Sequence, residues 1–412
     1  MAEPASLVAP TLEAARARIA AVRPADYART RNWLSGAVTG LSPYITHGLV
    51  TPAQVLADVV LRDSISVQHR FVFELGWRAY FRHVWQQHGA GILTSLHSGP
   101  LPDQVYSPTL PVDIREGNTG VPVVDQAVRL LYRTGLLHNH ARMWLASYIV
   151  HLRKVHWRVG ADWLYSHLLD GDLASNHLSW QWIAGTASRQ PYLFNADNVA
   201  RFAPSPWHSP GTVIDTSYDE LARIATDPAP PELSRRGSTA VAAAAVEPVV
   251  TDRPVDDPAL IILDDHAHDA IAREAGAIAD REVWLVHPWS LGELPANCPT
   301  DVLIVGVYLA DFHRQWPWSE HRWRFVNSRM TELASRRWYG PASSIGKVLG
   351  RARRVHSTDE PHLAPWLAGL ADCDPVASLF PPVEQRCDSF SQWWKRATHG
   401  LHDVRDLLAA QR

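Results

Sequence analysis

Cysteine, lysine and long apolar runs are all scarce in this sequence, and each shortage removes a class of protein. Three cysteines in 412 residues, Cys298, Cys373 and Cys387, are too few and too scattered for a disulfide framework, a four-cysteine iron–sulfur cluster or a paired zinc site. They are expected to pack as small apolar residues. No uninterrupted apolar run approaches the roughly eighteen residues of a membrane-spanning helix. Residues 1–30 lack a basic stretch followed by an apolar one, so no secretion signal is read and the cytoplasm is the expected compartment. A general excess of positive charge is missing too: net charge is −3, so any nucleic-acid surface must be local. The only lysines are Lys154, Lys347 and Lys395, an arginine bias that a GC-rich genome explains. The phosphate-loop pattern GxxxxGKS and the dinucleotide fingerprint GxGxxG are both absent, as are internal repeats.

What is present is a globular composition, 46% apolar and 20% charged, with 18 tryptophans and 30 prolines. Tryptophan fills cores, but it also stacks on bases and relays electrons. Residues 10–202 carry helical periodicity, notably over 70–88, 121–134, 142–154 and 161–169. Between about residues 202 and 258 the composition turns to Pro, Ser, Ala and Asp, which reads as linker, interrupted by a helix over 218–225. Beyond it, short apolar runs at 260–263, 283–286 and 302–305 read as strands, with a helix over 267–279 between the first two. Helices over 320–337 and 389–410 follow, with a weak strand at 353–356. The expected fold is therefore a mainly α domain over 1–210, a linker over 211–257, and a small βαβ-like α/β domain with a parallel sheet over 258–412.

Chemistry concentrates in the helical part. Glu74, Trp77 and Arg78 share one helical face; taken alone, they read best as an intrahelical Glu–Arg pair beside a core tryptophan. Asn139, Arg142 and Met143 repeat that spacing. In LLDGDLASNHLSWQW, Asp170 and Asp172 precede Asn176, Trp180 and Trp182, with the two tryptophans about 200° apart on the helix. Oxygen ligands such as Asp170 and Asp172 suit magnesium, while the neighbouring Asn and Trp suit an aromatic ligand. His287, His313, His321 and His356 have no metal spacing and no metal is expected.

Four blocks, VTGLSPYITHG, FELGWRAYFRH, TGLLHNHARMWLAS and LLDGDLASNHLSWQWIAGT, taken in order and with compatible spacing, resemble the FAD-binding helical domain of the photolyase and cryptochrome family over residues 25–204. The resemblance implies an FAD cofactor with its pyrophosphate against Thr39, Leu41 and Ser42, helped by Arg78 and Tyr27. It implies an Arg142–Asp170 ion pair beside the flavin ring, a polar contact from Asp172, and Asn176 facing flavin N5. Glu74, Trp77, Asn139, Met143 and Trp182 match the pocket for a flipped pyrimidine dimer. Trp180 and Trp157 match the first two members of an electron-transfer chain whose third tryptophan is replaced in its loop by Tyr106; Trp163 or Trp144 is an alternative end, and a broken chain another. Departures are Val38, Gly40, His140 and the pair Leu178 and Ser179.

In the family an α/β antenna domain precedes the flavin domain, whereas here the α/β unit follows it, which suggests a permuted antenna-like domain. No motif for a folate or deazaflavin is found, so the antenna chromophore is unassigned. The implied activity is a light-driven, FAD-dependent DNA photolyase, a lyase that splits the carbon–carbon bonds of cyclobutane pyrimidine dimers under blue light. DNA containing such dimers is the implied partner, with no membrane and a monomeric state. The alternatives are a cryptochrome-like blue-light sensor without repair activity, and a helical scaffold whose site has decayed. The aromatics of DFHRQWPWSEHRWRF and SFSQWWKRA are expected to pack against the flavin domain or to form a second aromatic site.

Overall fold

The computed structural model describes residues 8–231, 243–295, 298–299, 301–401 and 403–409; part of the expected linker, 232–242, and residue 410 of the expected last helix lie outside them. The first half is helical. Arg70–His88 is the longest helix; the His69 side chain accepts from Phe71 N at its start, and it ends at Gly89, φ 53°. Pro122–Thr134 begins with proline, buries Val123, Val124, Val128 and Leu131 on one side, and stops at Gly135, φ 67°. The periodic stretch read as 142–154 is two elements: helix Asn139–Ser147 passes into a π-helical turn, Tyr148–Leu152. Trp157–His167 and Leu173–Ala184 complete the group. The second is buried nearly all round, polar Asn176, His177 and Gln181 included, so it has no single polar face.

The second half forms a six-stranded, all-parallel sheet. Its spatial order is Leu260–Ile262, Arg336–Gly340, Leu303–Leu309, Glu282–Val286, Arg354–Thr358, Asp372–Asp374. The central strands are continuous apolar runs because both faces are covered. The helix expected to run to residue 337 stops at Leu333, and Arg336–Gly340 is a strand. Its arginines lie at the strand's start, where Arg337 pairs with Asp257 at 2.8 Å. The expected closing helix is two, Phe390–Ala397 and Val404–Ala409, interrupted at Gly400, φ 74°. The helix expected over 218–225 is Tyr218–Thr226.

Two cores result. One lies among the helices between Ile114 and Ile224, with loop residues such as Leu137, Phe194 and Ile214 closing it. The other joins the first helices of the chain, up to Ile92, to the sheet and to the closing helices. Successive connections leave Glu282–Val286 and Arg354–Thr358 in opposite directions, so these neighbours flank the topological switch point of the sheet. The loops that follow them are engaged with the helices: Pro288 O faces His47 Nδ1 at 2.6 Å, and Leu291 N donates to His47 O. The other nitrogen of His47 faces Leu169 O at 2.9 Å. No helix among the described residues is long and apolar enough to cross a membrane.

Candidate functional site

A cavity of about 210 Å³ lies between Arg70–His88, Asn139–Ser147, Trp157–His167 and Leu173–Ala184. Glu74, Trp77, Arg78, Asn139, Arg142, Met143, Asp170, Asp172, Asn176 and Trp180 all line it. The spacings that bring them together are local: i, i+3 and i+4 on each helix, with Asp172 as N-cap of Leu173–Ala184.

Arg142 Nη2 donates to both oxygens of Asp170, at 2.9 and 2.8 Å, and its Nε donates to Leu137 O. Ser42 Oγ donates to Asp170 Oδ2 at 2.5 Å. Burial raises the Asp170 carboxyl, but Arg142, Ser42 and Arg78 outweigh it and hold it below the usual range. Asp172, the N-cap of Leu173–Ala184, also lines the cavity and has partners within the protein. Its Oδ1 accepts from Ser175 N and Oγ, and its Oδ2 lies 3.4 Å from His362 Nε2. Burial again works against the charge and His362, Arg78 and Arg82 overcome it, holding the carboxyl well below its ordinary value. Both carboxylates thus have partners without a metal, and among the described residues no group of three or more His, Cys, Asp or Glu is placed to hold one.

Glu74 and Arg78 do not pair. Glu74 Oε1 accepts from Arg31 Nε at 3.2 Å and lies 3.8 Å from Arg70, whereas Arg78 donates to Thr46 Oγ at 2.8 Å and makes no ion pair among the described residues. Burial lowers its pKa. A guanidinium with five donors, one hydrogen bond and a place on a cavity wall is suited to an anion. Asn176 commits Nδ2 to Ala161 O at 2.9 Å, which leaves its carbonyl oxygen as the free acceptor. Trp180 is almost fully buried against Gly160, where an added Cβ would lie 2.3 Å from the indole.

Other expected residues lie off the cavity. Leu41 is core, and its N–H donates to Thr39 Oγ at 3.3 Å. Tyr27 meets Phe71 edge-on at 5.6 Å. Trp182 is 43% exposed and stacks on Tyr192 at 5.7 Å, so it is not brought onto the wall that Trp77 occupies. Trp157 donates to Ser95 Oγ and touches His156, which also touches Tyr106; burial pushes the Tyr106 phenol up to about 12. Trp163 and Trp144 instead contact Tyr132 and His140. On its other side Trp157 meets His177, and His177 meets Trp316 of the α/β domain, at 6.4 and 5.5 Å between ring centres.

The aromatics expected to pack against the flavin domain do so, Phe390 and Trp394 meeting Phe73; what sequence reasoning missed is the charged and polar contribution of the second domain. Glu360 Oε2 lies 3.3 Å from Arg82 Nη2, His362 reaches Asp172, and Arg322 donates to Gly171 O at 2.6 Å while its guanidinium covers Trp318 at 3.8 Å. Phe390 stacks on Trp77 with centroids 4.0 Å apart and rings 12° from parallel. Phe390 belongs to SFSQWWKRA and Arg322 and Trp318 to DFHRQWPWSEHRWRF, the two aromatic segments that gave the local sign of such packing.

The donor set fits a flavin dinucleotide: a guanidinium for an anion, an ion pair, an amide acceptor and a flat indole. The volume is below the about 300–1,000 Å³ of ordinary cofactor sites, so only part of a dinucleotide fits within as the side chains stand. Residues 71–226 match the profile of a family described as the FAD binding domain of DNA photolyase. The chain is 32% identical over 210 residues to a chloroplastic/mitochondrial cryptochrome DASH of Ostreococcus tauri, covering 49% of this chain and 38% of the relative. It is 34% identical over 166 residues to a deoxyribodipyrimidine photo-lyase of Streptomyces griseus, covering 40% and 36%. A crystal structure of a Synechocystis cryptochrome aligns with 46% of this chain and 43% of its own, at 30% identity and a TM-score of 0.42. The chain spans about a third of the length of these curated relatives.

Proposed function

Since residues 71–226 belong to the FAD-binding domain of the photolyase/cryptochrome family, we propose that the chain is a light-driven, FAD-dependent DNA photolyase acting on cyclobutane pyrimidine dimers. The observation that carries this reading is the shared wall of one cavity: Glu74, Trp77, Asn139 and Met143 stand beside Arg78, Arg142, Asp170 and Asn176. A reduced flavin held there would supply, on absorbing near-UV or blue light, the electron needed to open a dimer's two cyclobutane bonds and would take it back afterwards. This chain's residues bind and orient. Arg78 holds an anionic group, the Arg142–Asp170 pair fixes the charge beside the ring, and Asn176 offers it a hydrogen-bond acceptor. Trp77 supplies an apolar face for an extruded base, and Glu74 an acceptor for its polar edge. Thr39, Leu41 and Ser42 form, in this proposal, the loop that holds the pyrophosphate of the dinucleotide, with Tyr27 of helix Pro24–Thr30 helping. The α/β domain stands as a permuted antenna-like unit, its chromophore unassigned.

A second reading, a blue-light sensor without repair, is favoured by one observation. Trp77 is already stacked by Phe390 of the closing helix, which ties a cavity residue to the end of the chain. Illumination of reduced protein with dimer-containing oligothymidylate separates the two: restored thymine absorbance supports repair, and unchanged absorbance from flavin-loaded protein supports the sensor.

A further inference from the structure

The Asp170, Gly171, Asp172 turn carries a carboxylate on each side, and both of its flanks are held by residues more than a hundred positions away. Arg322 is completely buried, stacked on Trp318, and donates to Gly171 O and Tyr165 O at 2.6 and 3.3 Å. Gly171 is needed for that approach, because a Cβ there would lie 2.5 Å from Arg322 Nη1 and 2.7 Å from Tyr165 O. On the other flank His362, 2% exposed at its side chain, faces Asp172 Oδ2 through Nε2. Glu360 Oε1 accepts from His362 N, and its Oε2 takes Arg82. Trp85 fixes the His362 ring edge-on at 4.4 Å.

The charges explain why such a clamp is useful. Arg78, Arg82, Arg142 and Arg322 surround Asp170 and Asp172. Left alone, Asp172 would draw Arg78 and Arg82 toward the turn and away from a ligand. Glu360 takes Arg82 and His362 takes the outer oxygen of Asp172, so Arg78 stays free of any ion pair among the described residues. Resting on the flavin reading of the cavity, we propose that Arg322 and His362 of the α/β domain are positioning residues for the cofactor, acting through the 170–172 turn and leaving Arg78 available to its anionic part. Cofactor affinity is then a property of the docked pair of domains.

Full-length protein titrated with FAD tests this, with Kd and the midpoint potential of bound flavin as readouts. His362→Leu and Arg322→Leu each weaken binding by about tenfold, a single decade in Kd, and His362→Leu also shifts the potential. His362→Gln, which keeps a donor opposite Asp172, stays within about twofold of wild type. Arg16→Ala removes the exposed Arg16–Glu293 ion pair and leaves both readouts unchanged. Should Arg322→Leu fail to fold, Gly171→Ala presses on the same guanidinium from the helical side and carries the same expectation. His362→Leu with wild-type Kd and potential overturns the proposal, as does His362→Gln falling as far as His362→Leu. A wild-type chain that binds no FAD overturns the flavin reading and this role with it; flavin-loaded wild type beside an unaffected His362→Leu overturns only the role.

Discussion

Replacing Arg142 by Met keeps an aliphatic stem of similar length and removes the guanidinium that faces Asp170. The lost contacts are the two Nη2 hydrogen bonds of 2.9 and 2.8 Å and the Nε donation to Leu137 O. Asp170, with a side chain only 5% exposed, is left with Ser42 as its direct partner. Removing one member of a buried pair costs about 3–5 kcal/mol. The Arg142 side chain is 25% exposed, which places the loss lower, at about 2–3 kcal/mol. The pH dependence carries the sharper signature. In the wild type the Asp170 pKa is depressed, so its stabilisation is present above the unfolded value of about 3.9 and is lost as pH falls through the folded one. Without Arg142 burial dominates and the carboxyl titrates upward, so acidification relieves part of the variant's loss. Urea denaturation at pH 7 and pH 5, followed by tryptophan fluorescence, is expected to show a smaller gap between variant and wild type at pH 5. A gap below about 0.5 kcal/mol at both pH values, the scale of an exposed pair, would refute the account of Asp170 as a buried carboxylate held by Arg142.

Four other expectations follow from the same contacts. His151 is fully buried, and burial lowers its pKa to about 4; its stabilisation is present above the unfolded pKa of about 6.5 and falls as pH drops toward 4, so wild-type stability declines by about 2 kcal/mol between pH 7 and 5 from this group, and His151→Gln flattens that slope in urea titrations. Gly160→Ala drives a Cβ into Trp180, costing about 1–3 kcal/mol by overpacking and lowering flavin content; a variant with wild-type midpoint and flavin contradicts the close packing. Trp180→Phe abolishes flavin photoreduction followed by flash absorption, and Tyr106→Phe and Trp316→Phe distinguish the exit through His156 from that through His177. Trp77→Ala weakens binding to dimer-containing DNA by about 1–3 kcal/mol without loss of flavin, whereas equal binding of damaged and intact DNA by both proteins removes Trp77 from the substrate site.

What the sequence shows of the site is what helix geometry makes local. Asn139, Arg142 and Met143 fall together because they are spaced by three and four, and Asp172 caps the helix that holds Asn176 and Trp180. Glu74 reads as the partner of Arg78 on spacing alone, yet Arg31, the C-cap of helix Pro24–Thr30, takes it. His362 lies 190 positions from Asp172 and Arg322 151 from Gly171, and no periodicity links such pairs. The strand Arg336–Gly340 hides for a different reason: its first two residues are arginines whose charges are matched by Asp257 and Glu274, partners that composition does not reveal. Asp372–Asp374 is a short, polar edge strand, which lacks an apolar run to detect.

The most direct test of the account is the stoichiometry of flavin on the purified full-length chain, read from its visible absorption and from the nucleotide released on denaturation. The account predicts a yellow protein with one FAD per chain, directly or after incubation with FAD, and a diminished yield in Arg78→Ala. A folded, colourless protein that takes up no FAD would contradict it.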